Sequence, residues 1–538
     1  MVASASARRL HQRVGRTSLL AALLLLGVVQ GLAASEAMPS FDELRPLFAR
    51  ALIPAALVEL DAHADMPLYR IRATYHPERR TVEGHVRIEF CNQTGAALHD
   101  LGLYAFANSG SFHGARLSLG HVEVDGHAVR GSSAVDGADL LLTLPRALAP
   151  GQASVLSAAF EFSLSAGGGD NGLDALDGDV ACLYAWYPVL AGWSQGRWQL
   201  HPIDEICDPS VLDMAHVLVE LTVPDGVQVA SGGTVVAVRQ GSAGGRIHTI
   251  SAPFTRDLAM VLSPHLVEMT SQLGATTVSS WSSPGNRAAS GPILETACSA
   301  LRLFSAFGEY PYAHLTAVQS VLAPQVGGME SSSLVLINSS IPVPAIPQVP
   351  PEAARQFITD LVVSHEVSHQ WFYGLVGSDA FLCPWLDESL ADWSDAYFCE
   401  QRAPAALTQQ AWRMDLGDCG SPEVAAADAT GSVASYHGDL ERYADVVYSR
   451  GALMYQALRL RLGPQAFLAF LQDYVAANRF QVAGQVQWRQ ALGRALGEQE
   501  GQEFAAKWLD GRGLTVADLQ AVAHVAPPLP ASNAPDGR

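Results

Sequence analysis

From Tyr69 onward the chain alternates apolar and polar residues with a period of two. Tyr69-Arg70-Ile71-Arg72-Ala73-Thr74-Tyr75 does so, and after a turn Val82 to Phe90 places Val86, Ile88 and Phe90 on one side. Residues two apart share a face of a strand, so both segments predict half-buried β-strands. The pattern recurs at 139–145, 154–164, 215–223, 227–238 and 246–251, between clusters of Gly, Pro, Asp and Ser. Many short strands at this spacing predict an antiparallel β-sandwich or saddle. Ahead of them, Phe41 to Leu60 reads as a short helix interrupted near Pro54.

Near residue 290 the period lengthens to that of a helix. Ile293 to Phe307 is helical and stops at Gly308-Glu309-Tyr310-Pro311-Tyr312. Thr316 to Leu322 reads as a strand, Gln325 to Ser331 as a Gly-rich extended piece, and Leu334 to Asn338 as another strand. After a Pro-rich loop at 341–351, Pro350-Pro351 open a helix expected to run to Gly374 or Gly377. Pro384 opens the next, which should continue to Glu400. Residues 403–440 carry no clear period. Tyr443 to Leu462 is amphipathic, and helices at 465–478, 484–497 and 500–509 form an α-helical end. The chain is too long for one ordinary domain. The divisions expected are a β-rich domain at 34–287, an α+β domain at 288–475, a helical segment at 476–525 and a Pro-, Ala- and Ser-rich disordered tail at 526–538.

Composition narrows the function. Apolar residues make up 49% of the chain and charged ones 16%, enough to bury large cores. The net charge of −20 argues against nucleic acid and anionic lipid as partners. Residues 1–33 have the form of an export signal: Arg8, Arg9, Arg13 and Arg16 precede an apolar run from Leu19 to Val29, and small residues follow at Gly31 and Ala33. Export to a periplasmic or secreted location is expected, with an uncleaved anchor as the alternative. Seven cysteines show no Cys-x-x-Cys pairing, which argues against a cysteine zinc site. Cys182 with Cys207 is the expected disulfide. The run Gly167 to Gly172 reads as a surface loop, since no Gly-Lys-Ser/Thr follows it to cradle a phosphate. The aromatic cluster from Tyr184 to Trp198 reads as core or as packing against the next domain.

The densest chemistry lies in Val363-Ser364-His365-Glu366-Val367-Ser368-His369-Gln370-Trp371-Phe372. Two histidines four residues apart on a helix share a face, about 6 Å apart along the axis, so both imidazoles can reach one metal ion. Glu366 lies beside the first, where a carboxylate can take a proton from water activated by that metal. A third ligand is needed, and Glu388 on the following helix is placed to supply it. Asp392, one turn beyond Glu388, either accepts the free N–H of a ligand histidine or faces solvent.

These residues resemble the zinc aminopeptidases of the alanyl aminopeptidase and leukotriene hydrolase type, gluzincins in which His-Glu-x-x-His is followed after eighteen residues by Glu. Here residues 370–387 number eighteen and position 388 is Glu. The flanks are similar too: His369-Gln370-Trp371-Phe372-Tyr373-Gly374 stands against the family's His-Gln-Trp-Phe-Gly, and Trp385-Leu386-Asp387-Glu388-Ser389-Leu390-Ala391 against Trp-Leu-Asn-Glu-Gly-Phe-Ala. Gly327-Gly328-Met329-Glu330-Ser331 takes the place of the family's Gly-Ala-Met-Glu-Asn, with Ser331 where the family has Asn. Tyr448-Ser449-Arg450-Gly451 takes that of Tyr-Glu-Lys-Gly.

The resemblance implies a thermolysin-like zinc metallopeptidase domain with one Zn²⁺ on His365, His369 and Glu388 and with Glu366 as general base. It implies an edge strand through Gly327, Gly328 and Met329 whose Glu330 anchors a free N-terminus, and Tyr448 as the oxyanion donor, with Tyr443 and Tyr455 as rivals. The activity implied is removal of N-terminal residues from peptides. The alternatives are another gluzincin hydrolase, acting as an endopeptidase or on non-peptide substrates, and a non-catalytic peptide-binding protein on the same fold.

Overall fold

The computed structural model describes residues 40–523, apart from 111–113, 134, 136, 167–171, 204–211 and 242–243 and the side chains of 415, 416, 418 and 419. The expected export signal, the tail at 526–538, nearly all of the glycine-rich loop and Cys207 lie outside these residues. Two compact units appear, Met1–Pro46 and Leu47–Arg538. In the first, Ser40 caps the helix Phe41–Phe48: its Oγ accepts from Glu43 N at 3.4 Å, and Glu43 Oε2 accepts from Ser40 N at 2.7 Å. Among the described residues, no helix is long and apolar enough to cross a membrane.

The second unit opens with short helical pieces, Ala49–Ala51, Pro54–Ala56 and Leu57–Ala62, and then forms sheets. Eight strands form the largest, in the order Thr234–Gln240, Arg246–Thr255, Ala215–Val223, Leu68–His76, Thr81–Cys91, Ala153–Ser163, Arg116–Val124, His127–Ala128. All neighbours are antiparallel except Leu68–His76 with Ala215–Val223, which run parallel. The period-two pattern is realised as burial: Val86, Ile88 and Phe90 are buried on one face, as are Leu156, Ala158, Phe160 and Phe162 on the neighbouring strand. Gly84 has no side chain because a Cβ there would lie 2.5 Å from the Phe160 ring. A four-stranded and a five-stranded sheet pack on this face and enclose Tyr184, Trp186 and Tyr187.

One expectation is corrected here. The segment 227–238 is two strands in different sheets, Gln228–Ser231 and Thr234–Gln240. The break falls at Gly232-Gly233, where a Cβ would lie 2.6 Å from Ser332 O and 2.5 Å from Ile250 Cγ2 respectively. Alternation of side chains cannot register a change of sheet made by residues without side chains.

The site rests on a further, mixed sheet of five strands. Its strands are β1 (Val267–Leu273), β2 (Thr276–Ser282), β3 (His314–Ser320), β4 (Gly328–Ser331) and β5 (Leu334–Asn338), in the order β1-β2-β3-β5-β4. The first two strands come from the N-terminal side of residue 288, where the hydrophobic period changes. β4 lies at the edge, antiparallel to β5. Helix α1 (Arg287–Phe304) packs on β1, β2 and α2 (Pro351–Ser368). α2 packs in turn on α3 (Glu388–Arg402), and α3 on α4 (Arg450–Leu462). The unread region contains the helix Ala405–Cys419, and a last helix, Val516–Ala523, follows the predicted three.

One buried histidine makes the fold sensitive to acid. His216 is 0% exposed, with Phe48 and Phe254 each 5.3 Å away between ring centroids. Burial outweighs its hydrogen bond to His63 O and pushes its pKa down to about 4. The unfolded chain therefore binds the extra proton first, so this stability is present above the ordinary histidine range and is lost as pH falls from 6.5 toward 4. In melts from pH 7 to pH 4, the native protein should lose on the order of 3 kcal/mol more than His216→Phe. Equal losses would remove His216 as the cause.

Candidate metal centre

Helix α2 delivers His365 and Glu366 from its last turn and ends at Ser368 rather than at Gly374 or Gly377. His369 is the capping residue, still in αR geometry at φ −61° and ψ −13°. Beyond it the hydrogen bonds change span: Trp371 N donates to Ser368 O at 2.9 Å, while Gly374 N and Leu375 N reach His369 O and Gln370 O at 2.8 and 3.0 Å. Tyr373, at φ 140°, cannot continue a helix. Ending the helix here frees the Phe372 carbonyl, which lies 2.9 Å from His369 Nδ1. That contact makes Nδ1 the protonated nitrogen and leaves Nε2 as the ligand atom.

Glu388 enters from a 3₁₀ turn, Pro384–Leu386, as the first residue of α3. Asp387 caps it, with Oδ1 accepting from Glu388 N at 2.9 Å and Oδ2 accepting from Ser378 Oγ. The three ligand atoms form a small triangle. His365 Nε2 and His369 Nε2 are 3.2 Å apart, and Glu388 Oε2 lies 3.4 and 3.5 Å from them. Ligands at zinc distances on the corners of a tetrahedron stand about 3.3–3.5 Å apart, so the donor set fits zinc. Glu388 Oε2 is buried without a hydrogen-bond partner, which a cation at this point would remedy, and the equally buried Glu366 Oε2 is left to accept from a water at that cation.

The charges are set by burial and by each other. Burial raises the Glu366 carboxyl to about 7 against the lowering effect of both imidazoles. Burial also raises Glu330, to about 8, with His369 opposing. For Glu388 burial is outweighed by hydrogen bonds and charge from His365 and His369, which hold it well below the usual carboxylate range.

Glu330 lies on edge strand β4 and is 3% exposed. Its carboxylate clusters with those of Glu366 and a nitrogen of His369, with ligand atoms within 4.8 Å of one another. Gly328 lets the strand approach, since a Cβ there would sit 2.6 Å from Glu366 Cδ; at Gly327 a Cβ would meet Val362 at 3.2 Å. Met329 is half-buried between Gly328 and Glu330. Ser331 turns away from the triangle: its Oγ accepts from Ala259 N at 3.3 Å and ties β4 to the β-rich part.

Tyr448 is brought to the triangle and donates to Glu388 Oε1 at 2.6 Å. Its rivals do not share that position: Tyr443 and Tyr455 are packed in aromatic contacts, with Tyr436 and Tyr448 and with Trp488 respectively. Tyr448 sits in a six-residue π-helical turn, Ala444–Ser449, which the amphipathic pattern of 443–462 concealed. Ser389, next to the third ligand, donates to Val447 O at 2.5 Å. Gly451 then packs directly on Ser389, where a Cβ would lie 2.5 Å from Ser389 Cβ.

Three residues were missed in the sequence. Asp395 Oδ2 is 3.4 Å from His365 Nδ1, closer than Asp392 Oδ1 at 3.7 Å. The signal was present, because a residue seven beyond Glu388 returns to the same helical face. Gln370 donates to Ser331 O at 3.0 Å and accepts from Ser333 N at 2.8 Å, fixing the edge strand against the metal-bearing turn. Ser389 is the third, through its bond to Val447.

Residues 293–508 match the peptidase family M1 domain. Aminopeptidase N of Lactococcus lactis subsp. lactis is 29% identical over 179 residues, covering 32% of this chain and 20% of that protein. Aminopeptidase N of Lactobacillus delbrueckii subsp. lactis is 29% identical over 238 residues, 42% of this chain and 27% of the relative. The match thus spans about a quarter or less of these relatives' length. In fold, the chain is similar to the M1 zinc metallopeptidase of Deinococcus radiodurans, at a TM-score of 0.61 and 19% identity over 84% of this chain and 95% of that one. A mutant of that enzyme bound to a Tyr-Ser-Ala substrate gives a TM-score of 0.57 at 20% identity, over 84% and 95% of the two chains.

Two predictions follow from the packing. Gly328→Ala should displace the Glu366 carboxylate and lower turnover about 10- to 100-fold with zinc content unchanged; loss of zinc instead would mean that the strand supports the ligands. Asp395→Ala should weaken zinc binding about 10- to 100-fold in chelator competition, and more than Asp392→Ala does. The reverse order would make Asp392 the partner of His365.

Proposed function

We propose that this chain, which carries a peptidase family M1 domain over residues 293–508, is a zinc-dependent aminopeptidase that removes the N-terminal residue of peptides. The observation that carries the reading is the gathering of Glu330 and Glu366 around His369, beside the triangle of His365, His369 and Glu388. The triangle alone supports metal-assisted hydrolysis. A second carboxylate on an adjacent edge strand gives it polarity along the substrate.

His365, His369 and Glu388 would hold one zinc ion. Bound there, zinc supplies Lewis-acid chemistry, lowering the pKa of a water toward 7 and polarising a carbonyl. The chain's own residues do the rest. Edge strand β4 adds the substrate backbone as a further strand, with Gly327 and Gly328 allowing close approach. Glu330 receives the N-terminal ammonium and so registers the first peptide bond at the triangle. Glu366 takes a proton from the attacking water and returns it to the departing amine. Tyr448, whose hydroxyl donates to Glu388 in the free protein, would turn that proton to the oxyanion as it forms. The large acidic excess is compatible with neutral or basic peptides as substrates. We further propose export to the periplasm or medium, supported by the charged and apolar pattern of residues 1–33.

Aminoacyl-arylamides, free and N-acetylated, test the reading. Free substrates should be cleaved, N-acetylated ones spared, and chelation should stop turnover until zinc is restored. Glu366→Gln should lose at least about 10³-fold in kcat with zinc retained, and Glu330→Ala should raise KM for free amines most. Equal cleavage of N-acetylated substrates would sink the exopeptidase assignment and favour an endopeptidase. Zinc binding without turnover on any peptide would favour a peptide-binding protein.

A further inference from the structure

We propose that Arg256 is a positioning residue for the metal ligand His369, acting through the backbone of Phe372, Tyr373 and Gly374. The inference rests on the metal reading above but not on which peptides are cleaved. Arg256 follows the strand Arg246–Thr255 of the large sheet and is 4% exposed. Its donors go to backbone carbonyls in three separate segments. Nε donates to Tyr373 O at 2.6 Å and to Gly374 O at 3.1 Å. Nη1 donates to Leu212 O at 2.6 Å and Nη2 to Gln481 O at 2.9 Å. One planar cation thus joins the β-rich part, the turn after the metal helix and the helical end. Lysine, a point charge with one nitrogen, cannot reach all three directions at once.

The contact with the turn reaches the metal. Tyr373 and Gly374 directly follow Phe372, whose carbonyl lies 2.9 Å from His369 Nδ1. That turn is strained, with Tyr373 at φ 140°, a value rare for any residue but glycine. A strained turn holds its shape only when its surroundings over-determine it. Here Arg256 takes two of its carbonyls, Phe480 N donates to Leu375 O at 2.6 Å, and Gly377 N donates to Gln481 O at 2.9 Å. Phe254, two residues before Arg256, and Phe480, next to Gln481, also have positive φ, 51° and 63°, and stack with centroids 4.4 Å apart across the seam between their segments. Gly377 belongs to the same device, because a Cβ there would lie 2.5 Å from Arg256 Cζ. Without Arg256 the Phe372 carbonyl loses its fixed direction, and with it goes the tautomer and ring orientation of His369.

The test measures zinc affinity by chelator competition on the full chain, together with the melting temperature of the zinc-free protein. Arg256→Lys and Arg256→Gln should raise the zinc Kd about 10-fold, the low end for groups that orient a ligand from outside the coordination sphere. Gly377→Ala, which displaces the guanidinium without removing it, should move Kd in the same direction. Arg459→Lys is the comparison: Arg459 is also buried, but its guanidinium pairs with Glu400 at 2.7 Å and lies over the Tyr397 ring. It should lower the melting temperature and leave Kd within twofold. Methylguanidinium added to Arg256→Ala should recover part of the lost affinity, an effect that a merely destabilised fold would not show. The proposal is overturned if the Arg256 and Gly377 variants melt lower but keep a native zinc Kd. Failure of the native chain to bind zinc would instead bring down the metal reading beneath it.

Discussion

The structure around the site depends on one geometric constraint: the second histidine of the candidate metal centre must sit where its helix stops. An imidazole one turn after His365 reaches the same point in space only while the backbone is still helical. Its other nitrogen needs a fixed acceptor, and the Phe372 carbonyl can serve only if the chain has already left the helix. His369 satisfies both, in αR geometry at the cap with the turn breaking just beyond. The consequences radiate outward. Trp371 is pinned by Gly308 O at 2.8 Å, Gln370 grips the edge strand at Ser331 and Ser333, and Tyr373 takes up the strain. The residues that follow the second histidine in sequence are therefore as much a part of the centre as the ligands.

Glu388 solves the complementary problem at the start of a helix. A carboxylate at the first helical position is favoured by the positive end of the helix dipole, and Asp387 satisfies its N–H. Carboxylate oxygens this close would repel if left alone. Two imidazoles outweigh burial and keep Glu388 ionised, while Glu366 and Glu330 are pushed the other way by burial. Neighbouring carboxylates are thus driven to different protonation tendencies by what faces them, the division of labour that acid–base chemistry needs.

Much of this was legible from residue order. The ligands, Glu366 and the edge strand with Glu330 stand in short contiguous motifs, and the alternating strands announced their own buried faces. What escaped detection has a common physical character. The Arg256 guanidinium donates to backbone carbonyls, which every residue possesses, so no pairing of side-chain types pointed to it. The π turn holding Tyr448 differs from an α-helix in hydrogen-bond span and hardly at all in composition. The end of α2 at Ser368 was misplaced because Gly374 and Gly377 looked like terminators. Gly377 is instead the space into which the Arg256 guanidinium fits, and the helix has already ended at Ser368. Glycine marks close approach as readily as it marks a turn, and only packing tells the two apart.

That same distinction explains why the seam beside the metal uses strained aromatic residues. Phe254, Tyr373 and Phe480 all have positive φ, each at a cost of order 1–3 kcal/mol that glycine would avoid. Glycine, however, would leave the seam without the stacked ring pair, and it would restore freedom to a turn whose direction sets a metal ligand. An aromatic pair returns about 0.5–1.5 kcal/mol beyond its burial, and a hydrogen bond to a charged donor about 1.5–3 kcal/mol. Arg256 makes two such bonds through Nη1 and Nη2 and a third, shared between two carbonyls, through Nε. The strain can therefore be carried locally, without drawing on the stability of the remote sheets. A turn that is expensive to form and firmly held has few alternative shapes, which is what a ligand histidine requires of the backbone beside it.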